Sequence, residues 1–263
     1  EANGTGATVV FNTSIATNNP NSQATTAATY TWAPALGGDW TIPANWTPVR
    51  LIPSVSDTLV IDGTTTPGPT ITNIPSETDA ALRLINGVNG AGSGATLSAL
   101  TGGARTLTLT GGANALSVPS LNILTLSGAT ELDINVANGS TGAVGGQIIA
   151  LGGVHKLTGN AAAAITFASG SFYTTSTGFT GNPFGTGLTT GPVVFQSGSS
   201  AFFNAGCGDV FGGSGSTEVT FDAGSTETFS ATAAFSTAGR SYGNVSLTGN
   251  QSYSTTGSTT IQN

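Results

Sequence analysis

Residues able to do acid–base, nucleophilic or metal chemistry are few: twelve carboxylates, one histidine (His155) and one cysteine (Cys207) in 263 residues. A Ser-His-Asp relay would have to use His155, which sits in Gly153-Val-His-Lys-Leu-Thr158 on an expected strand, with no Gly-x-Ser-x-Gly elbow beside it. A hydrogen-bonded histidine in the body of the fold is the simpler reading. One His and one Cys cannot fill a tetrahedral zinc site. Cys207, between Gly206 and Gly208, reads as a small buried apolar side chain, and a single cysteine excludes an internal disulfide. Four acids, Asp209, Glu218, Asp222 and Glu227, lie within one stretch. Calcium binding or acid–base cleavage of a polysaccharide would need several carboxylates on one face. Aligned on the repeat described below, Asp222 matches Ala168 and Gln196, and Asp209 matches Asn182, so the acids read as isolated substitutions in polar positions. The expectation is no catalytic residue, no cofactor and no metal, with a calcium site and a polysaccharide lyase or hydrolase as the alternatives.

The other residues that could recognise a ligand are aromatic. All three tryptophans, Trp32, Trp40 and Trp46, fall between residues 30 and 62. Grouped this way they form a cap or core, or alternatively a platform on which sugar rings stack.

The elements that must position these residues follow from a repeat. Ile165-Thr-Phe167-Ala-Ser-Gly170-Ser171 returns as Val194-Phe195-Gln-Ser-Gly198-Ser199 and as Val219-Thr-Phe221-Asp-Ala-Gly224-Ser225, the phenylalanines 28 and 26 residues apart. Second, Gly-bounded phenylalanines follow at Phe184 and Phe211, with a looser echo at Phe235. A period of this size marks a solenoid, in which each repeat buries its apolar face against the next. Between residues 71 and 160, Ala80 to Ile85, Thr106 to Thr110, Ile123 to Ser127, Glu131 to Val136 and Gln147 to Leu151 alternate or run apolar as strands do. A smaller motif, Leu109-Thr-Gly111, Leu126-Ser-Gly128, Leu157-Thr-Gly159 and Leu247-Thr-Gly249, has a first spacing of 17, read as one rung. Thirty-nine glycines and abundant Thr argue against helices. The expected fold is all-β, a parallel β-helix (β-solenoid) with an N-terminal strand and cap segment. Its divisions are an extension at 1–29, the Trp-rich cap and first strand at 30–62, and the solenoid at 63–263 with its clearest repeats at 165–239.

Charge narrows the partners. Only 6% of residues are charged, the net charge is −7, and one Lys with four scattered Arg cannot form the basic stripe that nucleic acid requires. No apolar run reaches the roughly 18 residues of a bilayer span. A chain that starts at Glu1 and contains no Met is read as an exported protein, extracellular or on the cell surface, whose signal peptide has been removed. The burst Ala7 to Phe11, ahead of the turn cluster Asn18 to Ser22, either covers the first rung or adds to the edge of a neighbouring subunit. Sequons at Asn3, Asn12, Asn45, Asn138, Asn244 and Asn250 follow from composition, and Asp57-Thr58-Leu59 fits a short bacterial O-glycosylation motif.

Two segments carry a resemblance. Tyr30-Thr-Trp32, Asp39-Trp40, Asn45-Trp46, Pro48 and Asp57-Thr-Leu-Val-Ile61-Asp62, with the later Gly239-Arg240-Ser-Tyr242-Gly243-Asn244-Val-Ser-Leu247-Thr-Gly249, resemble the Gly- and Thr-rich β-helical surface proteins that Bacteroidetes, Chlorobi and similar bacteria export by type IX secretion. The resemblance implies that the tryptophans pack as an N-terminal cap and that the stretch from Asp57 is the first solenoid strand; the sequence departs from that group in lacking its usual sorting domain, which is read as cleaved off or as leaving the coil open.

The leading functional expectation is a structural subunit of an extracellular filament, tube or sheath, its partner being further copies of itself. Assembly would be head to tail or by strand exchange, through Val9, Val10 and Phe11 at one end and Ile261 at the other. A cell-surface adhesin binding glycans through Trp32, Trp40 or Trp46 is the alternative. An ice-binding face built on Thr ladders such as Thr106-Leu-Thr-Leu-Thr110 is a third, weakened because the next phrase is Leu-Thr-Leu-Ser.

Overall fold

The computed structural model describes residues 27–87, 92–176, 178–230, 232–237, 239–249 and 258–262. They form a parallel β-solenoid of about eight turns, with no α-helix and a single 3-10 turn at Pro43–Asn45. Three sheets run along it. Sheet one stacks Thr29–Trp32, Thr58–Asp62, Ala81–Ile85, Leu116–Val118, Gly142–Val144, Ile165–Phe167, Val193–Phe195 and Val219–Phe221 in parallel, with Trp46–Thr47 added antiparallel at the N-terminal edge. Sheet two stacks Gly37–Asp39, Thr70–Ile74, Gly94–Ala99, Ile123–Ser127, Gln147–Leu151, Phe172–Thr175, Ser200–Phe203, Thr226–Phe229 and Asn244–Leu247. Sheet three is shorter: Glu77–Asp79, Arg105–Leu109, Leu132–Val136 and Lys156–Gly159. Beyond it that side of the coil is built from turns around Phe184, Phe211 and Phe235. Ser241–Tyr242 and Thr260–Ile261 pair in parallel at the C-terminal end.

Alternation makes this stack. In each strand every second side chain points into the coil, and parallel register places like on like at about 4.8 Å. On sheet one Leu59, Leu82 and Leu116 form one inward column, and Val118, Val144, Phe167, Phe195 and Phe221 another. All eight are buried. The filling changes along the axis, from Leu, Ile and Val in the early turns to Phe and Tyr in the later ones. Phe167 stacks on Phe195 with centroids 4.3 Å apart, and Phe195 tilts against Phe221 at 5.2 Å.

The recurring Phe-x-[Ser/Ala]-Gly-Ser phrase is the corner between sheets one and two. After each Phe the chain turns through a glycine with positive φ, +82° at Gly170, +81° at Gly198 and +84° at Gly224, a conformation that costs other residues more. The serine that follows closes the turn twice. Its amide and its buried hydroxyl both donate to the carbonyl three residues back, Ala168, Gln196 or Asp222. The corners then stack, the amide of Gly170 donating to the carbonyl of Gly198 and that of Gly198 to Gly224, 2.9 Å each.

Two expectations need correction. Partners on sheet one lie 23 residues apart at Thr58 and Ala81 and 34 apart at Leu82 and Leu116, so the spacing of 17 is not a rung. Leu109 lies on sheet three and Leu126 on sheet two; the motif marks strand ends on different faces of the coil. The stretch from Asp57 is not the first strand, because Thr29–Trp32 precedes Thr58–Asp62 in parallel. Thr106 is in register with Asp133 and Lys156, and Thr108 with Asn135 and Thr158, so the Thr-x-Thr phrase does not recur on the neighbouring turns of sheet three.

Candidate functional site

At the N-terminal end the three tryptophans pack on one another rather than outward. Trp46 meets Trp32 and Trp40 edge-to-face, at 5.1 and 4.9 Å between centroids, and all three are buried. Their indole N–H groups are satisfied: Trp32 donates to the carbonyl of Pro34 (3.1 Å), Trp46 to that of Trp40 (3.1 Å), and Trp40 to Glu77 Oε1 (2.7 Å). A sugar ring finds no open indole face here.

Beside the tryptophans lies a polar centre that sequence reasoning did not single out. Arg50 is buried, its guanidinium 5.8 Å from the Tyr30 ring centroid and 5.7 Å from that of Trp46. It donates to Asp57 Oδ2 (2.9 Å), to Glu77 Oε1 (3.1 Å) and to Asp79 Oδ1. Glu77 and Asp79 open the columns that continue as Leu107 and Leu109, so the carboxylates occupy core positions of sheet three. One cation faces three acids, and a proton on Asp79 offsets one of the two surplus charges. Burial first, and the neighbouring Glu77 second, push Asp79 up to about 9, and its Oδ2 has no hydrogen-bond partner. A usable signal was present: Arg50 is the only basic residue in the segment carrying the tryptophans, with Asp57, Glu77 and Asp79 close behind it.

The outer side of this cap is apolar. Leu36, Ile42, Val49, Leu51, Ile52 and Val55 are exposed, six of the eleven exposed large hydrophobics among the described residues. Sheet one is closed here by the two-residue antiparallel strand Trp46–Thr47, followed by Pro48, and Pro43 and Pro53 flank the same stretch. A proline supplies no donor for an added strand, so this edge is protected against simple sheet continuation. Of the expected contact strands, Val9, Val10 and Phe11 lie outside the described residues. Ile261 is half exposed in Thr260–Ile261, beside Tyr242 in register.

The candidate chemical residues are placed apart. His155 is buried, and its Nδ1 accepts the amide N–H of Leu132 at 3.1 Å; burial pulls its pKa down. Cys207 is buried with its thiol pushed up to about 12, also by burial. The acids are not all in polar positions. Glu227 points into the core in register with Ala201 and Val245, its Oε1 2.6 Å from the Ser225 hydroxyl oxygen and its Oε2 accepting the Gly243 amide (3.0 Å), and burial raises it to about 7. Glu218 is buried and accepts the Leu188 amide at 2.6 Å, while Asp209 accepts the amide of Phe211 at 2.9 Å. Asp209, Glu218 and Glu227 therefore each accept a backbone amide, whereas Asp222 contributes its carbonyl to the Ser225 corner. Among the described residues no group of three or more His, Cys, Asp or Glu side chains is arranged to hold a metal ion, and no helix is long and apolar enough to cross a membrane.

A groove of about 490 Å³ lies elsewhere, at the corner of sheets one and two, lined by Ser120 to Ile123, Gly145 to Gln147, Ser169, Gly170 and Phe172. Comparison with protein-family models, with curated proteins and with solved structures gave no match in any of the three.

Proposed function

We propose that this chain is a structural subunit of an extracellular bacterial filament, tube or sheath, in which solenoids associate end to end. The observation that carries this reading is the apolar outer side of the cap. Leu36, at 91% exposure, Ile52 at 65% and Val55 at 64%, with Ile42, Val49 and Leu51, put six of the eleven exposed large hydrophobics among the described residues into one segment of the cap. Such patches on monomers mark interaction sites. The opposite end offers parallel strands, Asn244–Leu247 and Thr260–Ile261, with Val245 and Leu247 only partly covered. A cap of one kind meeting an end of another kind is a head-to-tail contact, which propagates as a fibre when it does not close on itself. Pro48 and Trp46–Thr47 block continuation of sheet one at the cap, so the contact there is by side chains, while Gly37–Asp39 leaves sheet two an edge that an exchanged strand such as Val9 to Phe11 would extend.

Negative-stain microscopy with light scattering over a concentration series tests this. Filaments or concentration-dependent growth are expected, reduced in Ile52→Glu/Val55→Glu; a monodisperse monomer at every concentration and pH overturns the reading. The second reading, a glycan-binding surface protein, is favoured by one observation, the uncharged groove at Phe172 and Gln147.

A further inference from the structure

We infer that the groove between residues 120 and 172 is a binding site for a neutral polysaccharide; this rests on the second reading above and is independent of assembly. The groove is built by one short corner. Four residues link sheets one and two at Pro119–Asn122 and again at Ala168–Ser171, but in the turn between them Val144 and Gln147 are joined by Gly145 and Gly146 alone. Both glycine amides donate to the carbonyl of Val118, at 2.8 and 3.0 Å. A Cβ on Gly146 would lie 2.3 Å from the carbonyl oxygen of Asn122 and 2.4 Å from that of Pro119, so glycine is required for this corner to tuck under its neighbour. The two longer corners overhang the recess.

The lining suits a carbohydrate and no charged ligand. None of its ten residues is ionisable. On sheet two, Ile123, Gln147 and Phe172 stand in register on three consecutive turns, about 4.8 Å apart, all outward. Leu121 and Ile123 are exposed, and Phe172 is half buried, giving apolar surface for the C–H face of a pyranose. Between them Gln147, partly exposed, offers an amide that can donate to one hydroxyl and accept from another, and Ser120 and Ser169 add exposed hydroxyls at the rim. The face continues in the same chemistry. From Thr70–Ile74 to Asn244–Leu247 the outward positions of sheet two are Thr, Ser, Gln, Asn, Gly, Ile, Leu and Phe, including a column of Thr70, Thr96, Thr125, Ile149, Thr174, Phe202 and Thr228. An extended chain laid along the axis meets a hydroxyl or an apolar face at each turn, and no fixed charge that would need a counter-ion.

Retention of the full chain on insoluble neutral polysaccharides (cellulose, chitin, starch, β-glucan), against pectate and heparin beads as acidic controls, tests this. Binding to at least one neutral polymer is expected, undiminished at high salt. Phe172→Ala and Gln147→Ala should each weaken it about tenfold, as expected for one lost stacking or hydroxyl-pairing contact. Ser120→Arg, at an exposed rim position, fills the groove without touching the core and should abolish retention, while Ser117→Ala on sheet one should leave it unchanged. Thermal melts of each variant separate lost binding from lost fold. Retention that ignores Phe172→Ala, Gln147→Ala and Ser120→Arg overturns the site and leaves the glycan reading standing. No neutral polymer retained, or only acidic ones, overturns both.

Discussion

Arg50 and Asp79 set the pH behaviour at the scale of single residues. The folded state holds a proton on Asp79 up to about pH 9, whereas the free side chain releases it near 3.8. The folded form therefore binds more protons across that interval, and stability falls as pH rises through it. Asp133 and Glu227, each raised to about 7 chiefly by burial, act in the same direction over a narrower range. His155, held neutral by burial, opposes them: it costs stability as pH falls below its ordinary value of 6.5. Asp79→Asn, which resembles the protonated acid in shape, should match the parent protein in melting temperature near pH 3 and exceed it increasingly from about pH 4 towards pH 9. Parallel melting curves for the two proteins would show that Asp79 is ionised in the fold. Glu227→Gln should show the same trend, complete by about pH 8, because its own release lies near 7. The sequence placed Trp32, Trp40 and Trp46 in one segment, and their packing as a cap agrees with that grouping. It did not show Arg50 as their centre, since the ion cluster draws its acids from 7, 27 and 29 residues away, a separation that only the coil closes.

Corners and columns are the units at the scale of elements. Phe195 is stacked between Phe167 and Phe221 and also meets Tyr173 and Phe184. Phe195→Ala leaves a large void in a column that cannot collapse without breaking register, and a loss of about 3–5 kcal/mol is expected from denaturant unfolding. Phe195→Leu, which keeps much of the volume, should cost less than half of that. Gly146→Ala should destabilise the fold for a different reason, backbone overlap with Asn122 and Pro119, and relaxation there would also reshape the groove. The strands were legible because their alternation is local: Ile123–Ser127 and Gln147–Leu151 fall where the pattern places them. Which strands share a sheet was not. Leu109-Thr-Gly111 and Leu126-Ser-Gly128 look alike because both end strands at corners, and a corner motif repeats once per face rather than once per turn. The Phe-x-[Ser/Ala]-Gly-Ser phrase gave the true period because each copy performs the same corner with the same serine closure. Glu227 was read as polar since the phrase fixes the turn but says nothing of the second residue of the strand that follows.

Closure at one end distinguishes the whole molecule. A solenoid whose turns touch only their neighbours derives stability from the sum of adjacent contacts, so its ends are its weakest parts. Here the N-terminal end is stoppered by three indoles and a paired arginine, while strands at the other end continue in parallel to Thr260–Ile261. Hydrogen exchange should accordingly be slowest in the turns between Leu116 and Phe221 and should be faster at Asn244–Leu247 than at Thr58–Asp62. The reverse order would place the weaker end at the cap.

The scarcity of basic residues has a consequence for digestion by proteases. Trypsin-like proteases cut after Lys or Arg, and this chain has five such positions. Arg50 is buried in its ion cluster, Arg83, Arg105 and Lys156 lie within hydrogen-bonded strands, and Arg240 is held by the carbonyls of Ser216 and Gly213, with its guanidinium 4.6 Å from the Phe211 ring centroid. Residues 1–49 and 241–263 contain no basic side chain, so both stretches escape such enzymes by composition alone. A protease of this specificity must wait for the coil itself to open.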